Sequence, residues 1–449
     1  MDGSTAALAR HLTALRFTDL PAPIVTLAKL AVLDLTGVMI AGSAEPAARI
    51  ASGVAAREYG PGPCTVAGRT ARTTASGAAL VNGTAAHALD FDDVVTTMGH
   101  PSAPALPAAL AVAERLGASG ADLLTAFVAG FETQTRVAAA IGTSHYARGF
   151  HSTATFGTFG AAAAATRLLG LDPDRTTAAL GIAGTQAAGL KAMFGTMCKP
   201  LHAGRAAMAG ILAAELAADG FTSADDVLGA PQGFAATQSD AFDPAVAAAP
   251  IGDPWRLDNV RFKVHAACFL THASINALIH LRRTEGLTAE NVEAVDITVP
   301  PGHLSVCAIP EPRTGLEGKF SLRYTAALAI AHGAADPSRF TDALVADRTL
   351  VALGERVTVV PDDRLVGPVA QVRVKLADGR VLEAAHDTNV RPWREDPAEQ
   401  TDDLLGKFHA LTGPVIGPDQ ARELAGTILR LDELPDVRRL GALITGRKA

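Results

Sequence analysis

Apolar residues recur with helical spacing over 4–16, 22–42, 44–58 and 72–90, and the four runs predict four helices. Pro21 stands just before the second run, Pro23 falls in its first turn, and Ala41-Gly42 ends it, which is the punctuation of a helix start and stop. Gly60-Pro61-Gly62-Pro63 separates the third run from the fourth as a turn. An Asp-rich stretch after residue 90 reads as a loop. Ser102 then caps a predicted helix that has Pro104 in its first turn and runs to Gly117, and 120–142 gives another. A polar loop over 149–153 leads into an Ala-rich helix, 156–169, and Asp172-Pro173 opens a further one. A Gly/Pro-punctuated loop over 193–205 feeds a helix at 204–219.

The texture changes near residue 255. Residues 260–268 read as extended, 271–286 as a helix, and 292–299 alternates as a strand before Pro300-Pro301. Residues 319–333 are again helical and apolar. Strands follow at 356–361 and 370–376, with Ala377-Asp378-Gly379 as a hairpin turn into 380–385. After Pro392 the pattern returns to helix, near 399–411, 418–430 and 434–445. The expected fold is mostly α. A large all-helical domain is formed by both chain ends, 1–265 and 393–449, and a smaller α/β lid domain, 266–392, is inserted between them.

Composition narrows this picture. At 449 residues the chain exceeds one ordinary core and is large enough to enclose a pocket. Aromatics are 5% and Ala and Gly dominate, which suits helices packed closely through small side chains. A net charge of −7 without any Lys/Arg stripe argues against nucleic acid or a basic membrane surface, leaving a small molecule as the expected partner. Cys64, Cys198, Cys268 and Cys307 show no metal-binding spacing, which lowers a metal reading without removing it, and the expected site has no metal and no cofactor. The N-terminal residues lack a basic stretch followed by an apolar run, and 24–42 is interrupted by Lys29 and Asp34, so a cytoplasmic protein without a membrane span is expected.

The chemistry concentrates at 87–117. Asp90, Asp92, Asp93, His87 and His100 crowd into an otherwise apolar stretch, and burying charge there is unfavourable by several kcal/mol unless the groups satisfy one another or form a site. His100 is the first acid/base candidate because imidazole titrates near neutrality beside three acids. Asp90 either orients His100 or bonds a substrate hydroxyl, or is a buried structural acid. Asp92 and Asp93 read as structural, pairing with helix N–H groups; no second acidic motif supports a Mg²⁺ site. The loops carrying His100, His151 and Lys199 each run into a helix N-terminus, and such termini converging on one cleft would hold an anion, with Lys199 as its clamp. His202 and Arg205 could flank that anion, although a surface role suits Arg205 equally.

The motifs 31–38, 82–93, His100-Pro101-Ser102, Lys199-Pro200-Leu201-His202-Ala203-Gly204 and Lys319-Phe320-Ser321-Leu322-Arg323-Tyr324 together resemble the MmgE/PrpD family, in order through essentially the whole chain. That family includes 2-methylcitrate dehydratases, cis-aconitate decarboxylases and iminodisuccinate epimerases. The resemblance implies a homodimer with a pocket between a helical domain and a lid. It also implies catalytic roles for Asp90, His100, His151, Lys199 and Tyr324. The family's threonine position is occupied by Val94, so that contact is lost or comes from Thr96 or Thr97. His265 and Ala266 stand where relatives commonly carry an aromatic residue and a proline, which puts His265, with His272 nearby, on a changed substrate wall. The expected function is a cofactor-independent lyase, of dehydratase or decarboxylase type, acting on a small di- or tricarboxylic acid at a carbon next to a carboxylate. The alternatives are an epimerase of an iminodisuccinate-like dicarboxylate and a non-catalytic metabolite-binding homodimer.

Overall fold

The computed structural model describes residues 3–307, 309–389 and 397–446. The expected domain boundary at 392/393 lies outside the described residues.

Helix Ala22–Gly42 is the axis of the helical body, with most of its residues buried, Asp34 among them. It is the one helix among the described residues long and apolar enough to cross a membrane, and its 18-residue apolar window is 78% buried inside the protein. Asp34 is answered from the far end of the chain: Lys407, on helix Pro397–Ile416, places Nζ 2.6 Å from Asp34 Oδ1. That helix and helix Pro418–Leu429 pack on Ala22–Gly42, so the first and last segments of the chain share one core.

Small residues set the rest of the packing. Helices Ala75–Ala88 and Cys198–Ala218 cross at Gly83 and Gly204, so closely that a Cβ on Gly83 would stand 2.7 Å from Gly204 Cα and one on Gly204 would stand 2.1 Å from the Leu80 carbonyl oxygen. Only glycine fits at both positions. Within about a turn and a half of this crossing lie His87 on one helix and His202 and Lys199 on the other, so the contact of two backbones fixes the spacing of the site. Helix Ser152–Leu168 packs against Cys198–Ala218 and brings His151 at its start.

The second body carries a mixed four-stranded sheet, ordered β4-β3-β5-β6, with β3 Val292–Val299, β4 Val357–Pro361, β5 Val369–Leu376 and β6 Val381–Asp387; β1 (Cys64–Thr65) and β2 (Arg72–Thr73) are a two-residue ladder elsewhere. β3 runs parallel to β4 and antiparallel to β5, and β5 turns into β6 through the hairpin whose Gly379 has φ 88°. Alternate residues of β5 are buried beneath helix His272–Glu285, and helix Leu322–His332 packs beside it. Buried apolar residues fall into two main clusters, one helical and one built on this sheet, and Leu89 and Phe91 belong to the second although their chain neighbours serve the first. Asp90 thus sits on the seam between them.

Three sequence expectations change. Helix Cys198–Ala218 begins six residues before the predicted start, so Lys199 lies in a first turn rather than a loop; Pro200 is tolerated there because that N–H has no helical partner. Helix Ser152–Leu168 likewise begins four residues early. Residues 260–268 are irregular, joined to the Asp-rich loop by a single bridge between Arg261 and Val94.

Candidate active site

Asp90 follows the last turn of helix Ala75–Ala88 with φ 50°, the one left-handed non-glycine among the described residues. Such a conformation costs ~1 kcal/mol or more and persists only where neighbours enforce it. Here three lysines from distant parts of the chain do so, Lys319 and Lys263 buried and Lys407 partly buried, one for each successive carbonyl. Lys319 Nζ donates to the Leu89 carbonyl at 2.7 Å, Lys263 Nζ to that of Asp90 at 3.0 Å, and Lys407 Nζ to that of Phe91 at 2.8 Å. Lys319 also reaches the Ala266 carbonyl at 2.8 Å and Lys263 that of Ala267 at 3.0 Å, which ties the turn to residues 266–267. Burial draws the Lys319 ammonium down to about 7, against the pull of Asp90 and Glu45.

The Asp90 carboxylate is gripped from two sides. Lys263 Nζ stands 2.6 Å from Oδ1 and Lys199 Nζ 3.1 Å from Oδ2. Burial alone would push this carboxyl up; Lys199 and Lys263, helped by His100 and His87, outweigh it and hold the group well below the usual carboxylate range. Asp92 is ionised by a different route. Its Oδ2 lies 2.9 Å from His87 Nδ1 and 3.2 Å from His100 Nδ1, and these imidazoles override burial. The sequence reading offered Asp90 as one possible orienter of His100 and took Asp92 as structural; in the structure Asp92 Oδ2 lies 3.2 Å from His100 Nδ1, while Asp90 Oδ1 is 3.7 Å from His100 Nε2. Asp93 does take the capping role, accepting the Ser102 N–H at 3.3 Å with Ser102 Oγ at 2.5 Å, so Ser102 is capped rather than capping. Burial pushes the Asp93 carboxyl up to about 8.

His151 completes the cluster. Its ring stacks on His87 with centroids 5.8 Å apart and meets the edge of Phe194 at 4.9 Å, while its Nδ1 is 2.9 Å from His202 Nδ1. Burial lowers all four imidazoles, His87 and His202 to about 4 and His100 and His151 below the ordinary value, with Lys199 adding to the effect at each. Four polar atoms in the cluster, His87 Nε2, His100 Nδ1, Asp90 Oδ2 and Lys199 Nζ, are buried without a hydrogen bond, although Lys199 faces Asp90 as an ion pair at 3.1 Å and His100 Nδ1 lies 3.2 Å from Asp92 Oδ2. His87 Nε2 and the donors of Lys199 beyond that ion pair are open to a ligand. His87, Asp92 and His100 also have the make-up of a metal-binding group, with ligand atoms within 4.8 Å of one another; both ring Nδ1 atoms are committed to Asp92, and the ammonium groups beside Asp90 oppose a second cation.

Of the residues named from sequence, the structure brings Asp90, His100, His151, Lys199 and His202 together. It gives the others different engagements. Tyr324 donates its hydroxyl to the Arg339 carbonyl at 2.7 Å, against Phe340, and that phenol is pushed beyond its usual range by burial and Asp347. The phenol near Asp90 is that of Tyr146, held well above its usual range by burial and by Cys268, Cys307 and Asp90. Val94 is buried and pairs its main chain with Arg261, while Thr96 and Thr97 are exposed at the tip of a hairpin closed by Val95 and Gly99. The threonine that touches the cluster is Thr153, whose Oγ1 accepts the His100 N–H at 3.1 Å. His265 bonds Asn276 at 2.8 Å and meets the edge of His272, whose Nε2 is 3.3 Å from the Ala267 carbonyl. Arg205 is exposed. The reading placed His87 in the cluster without giving it a role, and missed Lys263, Lys319 and Lys407 as partners of the turn; the one signal for Lys263 is a charge inside the otherwise apolar Phe262-Lys263-Val264.

The MmgE/PrpD N-terminal domain matches residues 6–247 and the MmgE/PrpD C-terminal domain residues 265–433. A cis-aconitate decarboxylase of Homo sapiens is 31% identical over 82% of this chain and 79% of its own. A cis-aconitate decarboxylase-like protein of Aspergillus oryzae is 30% identical over 98% and 97%, and a cis-aconitate decarboxylase of Aspergillus terreus 28% identical over 98% and 96%. The chain belongs to the MmgE/PrpD family.

Proposed function

We propose that this protein is a decarboxylase-type lyase acting on a small unsaturated tricarboxylic acid, with cis-aconitate as the first substrate to test. The observation that carries the reading is a set of buried groups around Asp90, with His100 and His151: His87 Nε2, which has no hydrogen bond, and Lys199 Nζ, whose one partner is the ion pair with Asp90. A substrate carboxylate seated there takes up the donors of Lys199 that Asp90 leaves over. When the scissile C–C bond breaks, its electron pair stays on the substrate as a carbanion delocalised into the conjugated carboxylate, and CO₂ leaves. Cationic and N–H donors around that carboxylate stabilise the charge as it develops. A protonated imidazole then gives its proton to carbon, forming C–H and breaking N–H, so one proton is consumed per CO₂ released.

His100 and His151 are the proposed acid and base groups, and Asp92 orients His100 as a triad carboxylate orients its histidine. Burial lowers both rings, so a bound carboxylate that raises one of them again would draw in the proton the reaction spends. Asp90 holds the two lysines. In this proposal no metal takes part, the smaller body covers the site, and the protein works as a homodimer. The test is CO₂ release and product NMR from a panel of cis-aconitate, 2-methylcitrate, citrate and iminodisuccinate. CO₂ from cis-aconitate supports the reading; water loss or stereochemical exchange without CO₂, or no turnover of any acid, contradicts it.

A further inference from the structure

The inner imidazoles of the cluster share one orientation. His87 and His100 both turn Nδ1 to Asp92, and His151 turns Nδ1 to His202. A ring whose Nδ1 is spent on a protein partner has only Nε2 left for a ligand. The backing group nonetheless differs: two rings stand on a carboxylate, the third on a second imidazole. At 2.9 Å the His151 and His202 nitrogens can hold one proton between them, since two N–H groups pointing at each other would repel and two bare nitrogens would leave both unsatisfied.

Everything else about His151 is fixed. Its N–H donates to the Gly189 carbonyl at 2.9 Å, it starts helix Ser152–Leu168 without using its side chain as a cap, and its ring is pinned between His87 and Phe194. His202 is held on the first turns of helix Cys198–Ala218, about half a turn from Gly204 at the crossing, and is only partly buried. The charged and titratable groups that act on the pair are Lys199, His87 and His100.

We propose that His202 is a positioning residue that accepts the Nδ1–H of His151, fixing that ring as the Nδ1–H tautomer with Nε2 bare toward the ligand. Protonation at Nε2 then makes the imidazolium with no rearrangement of the bond to His202, and the same atom delivers the proton to carbon. A carboxylate in place of His202 would anchor the proton more firmly and repel an anionic substrate; an imidazole does neither. The contrast with Asp92 behind His100 sets the two catalytic rings apart, as environments must when one fold needs both an acid and a base. The delivery step rests on the decarboxylase reading; the tautomer does not.

The experiment is ¹⁵N–¹H correlation NMR of the full chain carrying ¹⁵N-histidine, with His202→Phe and His202→Asn beside the wild type. The wild type is expected to show His151 protonated on Nδ1; His202→Phe loses that tautomer, and His202→Asn, whose amide oxygen accepts the same proton, restores it. Turnover of cis-aconitate is expected to fall roughly tenfold to a hundredfold in kcat for His202→Phe, with KM changed less than about threefold and His202→Asn recovering most of the loss. An Nε2–H tautomer in the wild type, or an unchanged kcat in His202→Phe, overturns the proposal. If no acid in the panel is turned over, the decarboxylase reading fails, and the tautomers of the wild type and His202→Asn still decide the role of His202.

Discussion

Lys263 Nζ stands 2.6 Å from Oδ1 of Asp90 and 3.0 Å from the carbonyl oxygen of the same residue, so one ammonium group satisfies both the side chain and the strained main chain of the acid at the seam. A third bond, to the Ala267 carbonyl, saturates its donors. The positive φ of Asp90 is therefore held by the residue that also balances its charge.

Removing one partner of a buried pair leaves the other charge unpaired in a poor solvent. Lys263→Met is expected to lower stability by about 3–5 kcal/mol, read by denaturant unfolding at neutral pH. Little change would mean that Lys199 alone suffices for Asp90.

The close crossing of Gly83 and Gly204 invites a second test. A methyl group on Gly204 would meet the Leu80 carbonyl oxygen at 2.1 Å and Thr84 Oγ1 at 2.4 Å, and the main chain cannot retreat without parting the helices. Gly204→Ala is expected to lose roughly 2–4 kcal/mol in thermal unfolding, whereas Gly413→Ala, with open space around it, should cost nothing by this route. Equal effects would refute the crossing as the device that spaces the site.

Acid should unfold the protein in a definite window. His87 is held at about 4 by burial, against Asp92, while an unfolded histidine titrates near 6.5. The unfolded chain thus binds a proton that the native site refuses. Stability is fully present above 6.5 and is lost as pH falls from there towards 4, by about 3 kcal/mol for this residue. Thermal melts from pH 7 to pH 4 read the loss, and His87→Asn, which has no such proton to refuse, should flatten that part of the curve.

Much of this architecture is legible in the chain, and the illegible part has one physical cause. Strand 292–299 and helix Ala22–Gly42 were readable to the residue because alternation and helical spacing are local signals. The start of helix Cys198–Ala218 was not, because Gly195 and Pro200 are loop residues everywhere except in a first turn. Asp90, His100, His151 and Lys199 stood out as polar groups in apolar or glycine-rich surroundings. The partner of each did not, since the Lys263–Asp90 pair spans 173 residues and the Lys319–Leu89 bond 230, and no periodicity encodes which lysine meets which carbonyl.

Two tyrosines separate a motif match from a contact. Tyr324 spends its hydroxyl on the Arg339 carbonyl, and Tyr146 lies under Lys191 Nζ at 4.0 Å from its ring centroid, with Asp90 acting on its phenol. Tyr324→Phe is expected to lower stability by about 1 kcal/mol and leave kcat unaltered; Tyr146→Phe should lower kcat. Steady-state kinetics of both, with unfolding curves, check the assignment, and the reverse pattern would return the catalytic role to Tyr324.

The central claim is that His100, oriented by Asp92, works on a carbanion next to a carboxylate. Proton NMR of cis-aconitate with the protein in deuterated buffer, run beside His100→Ala, tests it most directly. The account expects loss of CO₂ with one deuterium placed on carbon by the wild type, and a fall of at least roughly a hundredfold in that rate for the variant. Turnover that survives His100→Ala unchanged, or a product carrying no deuterium, would contradict it.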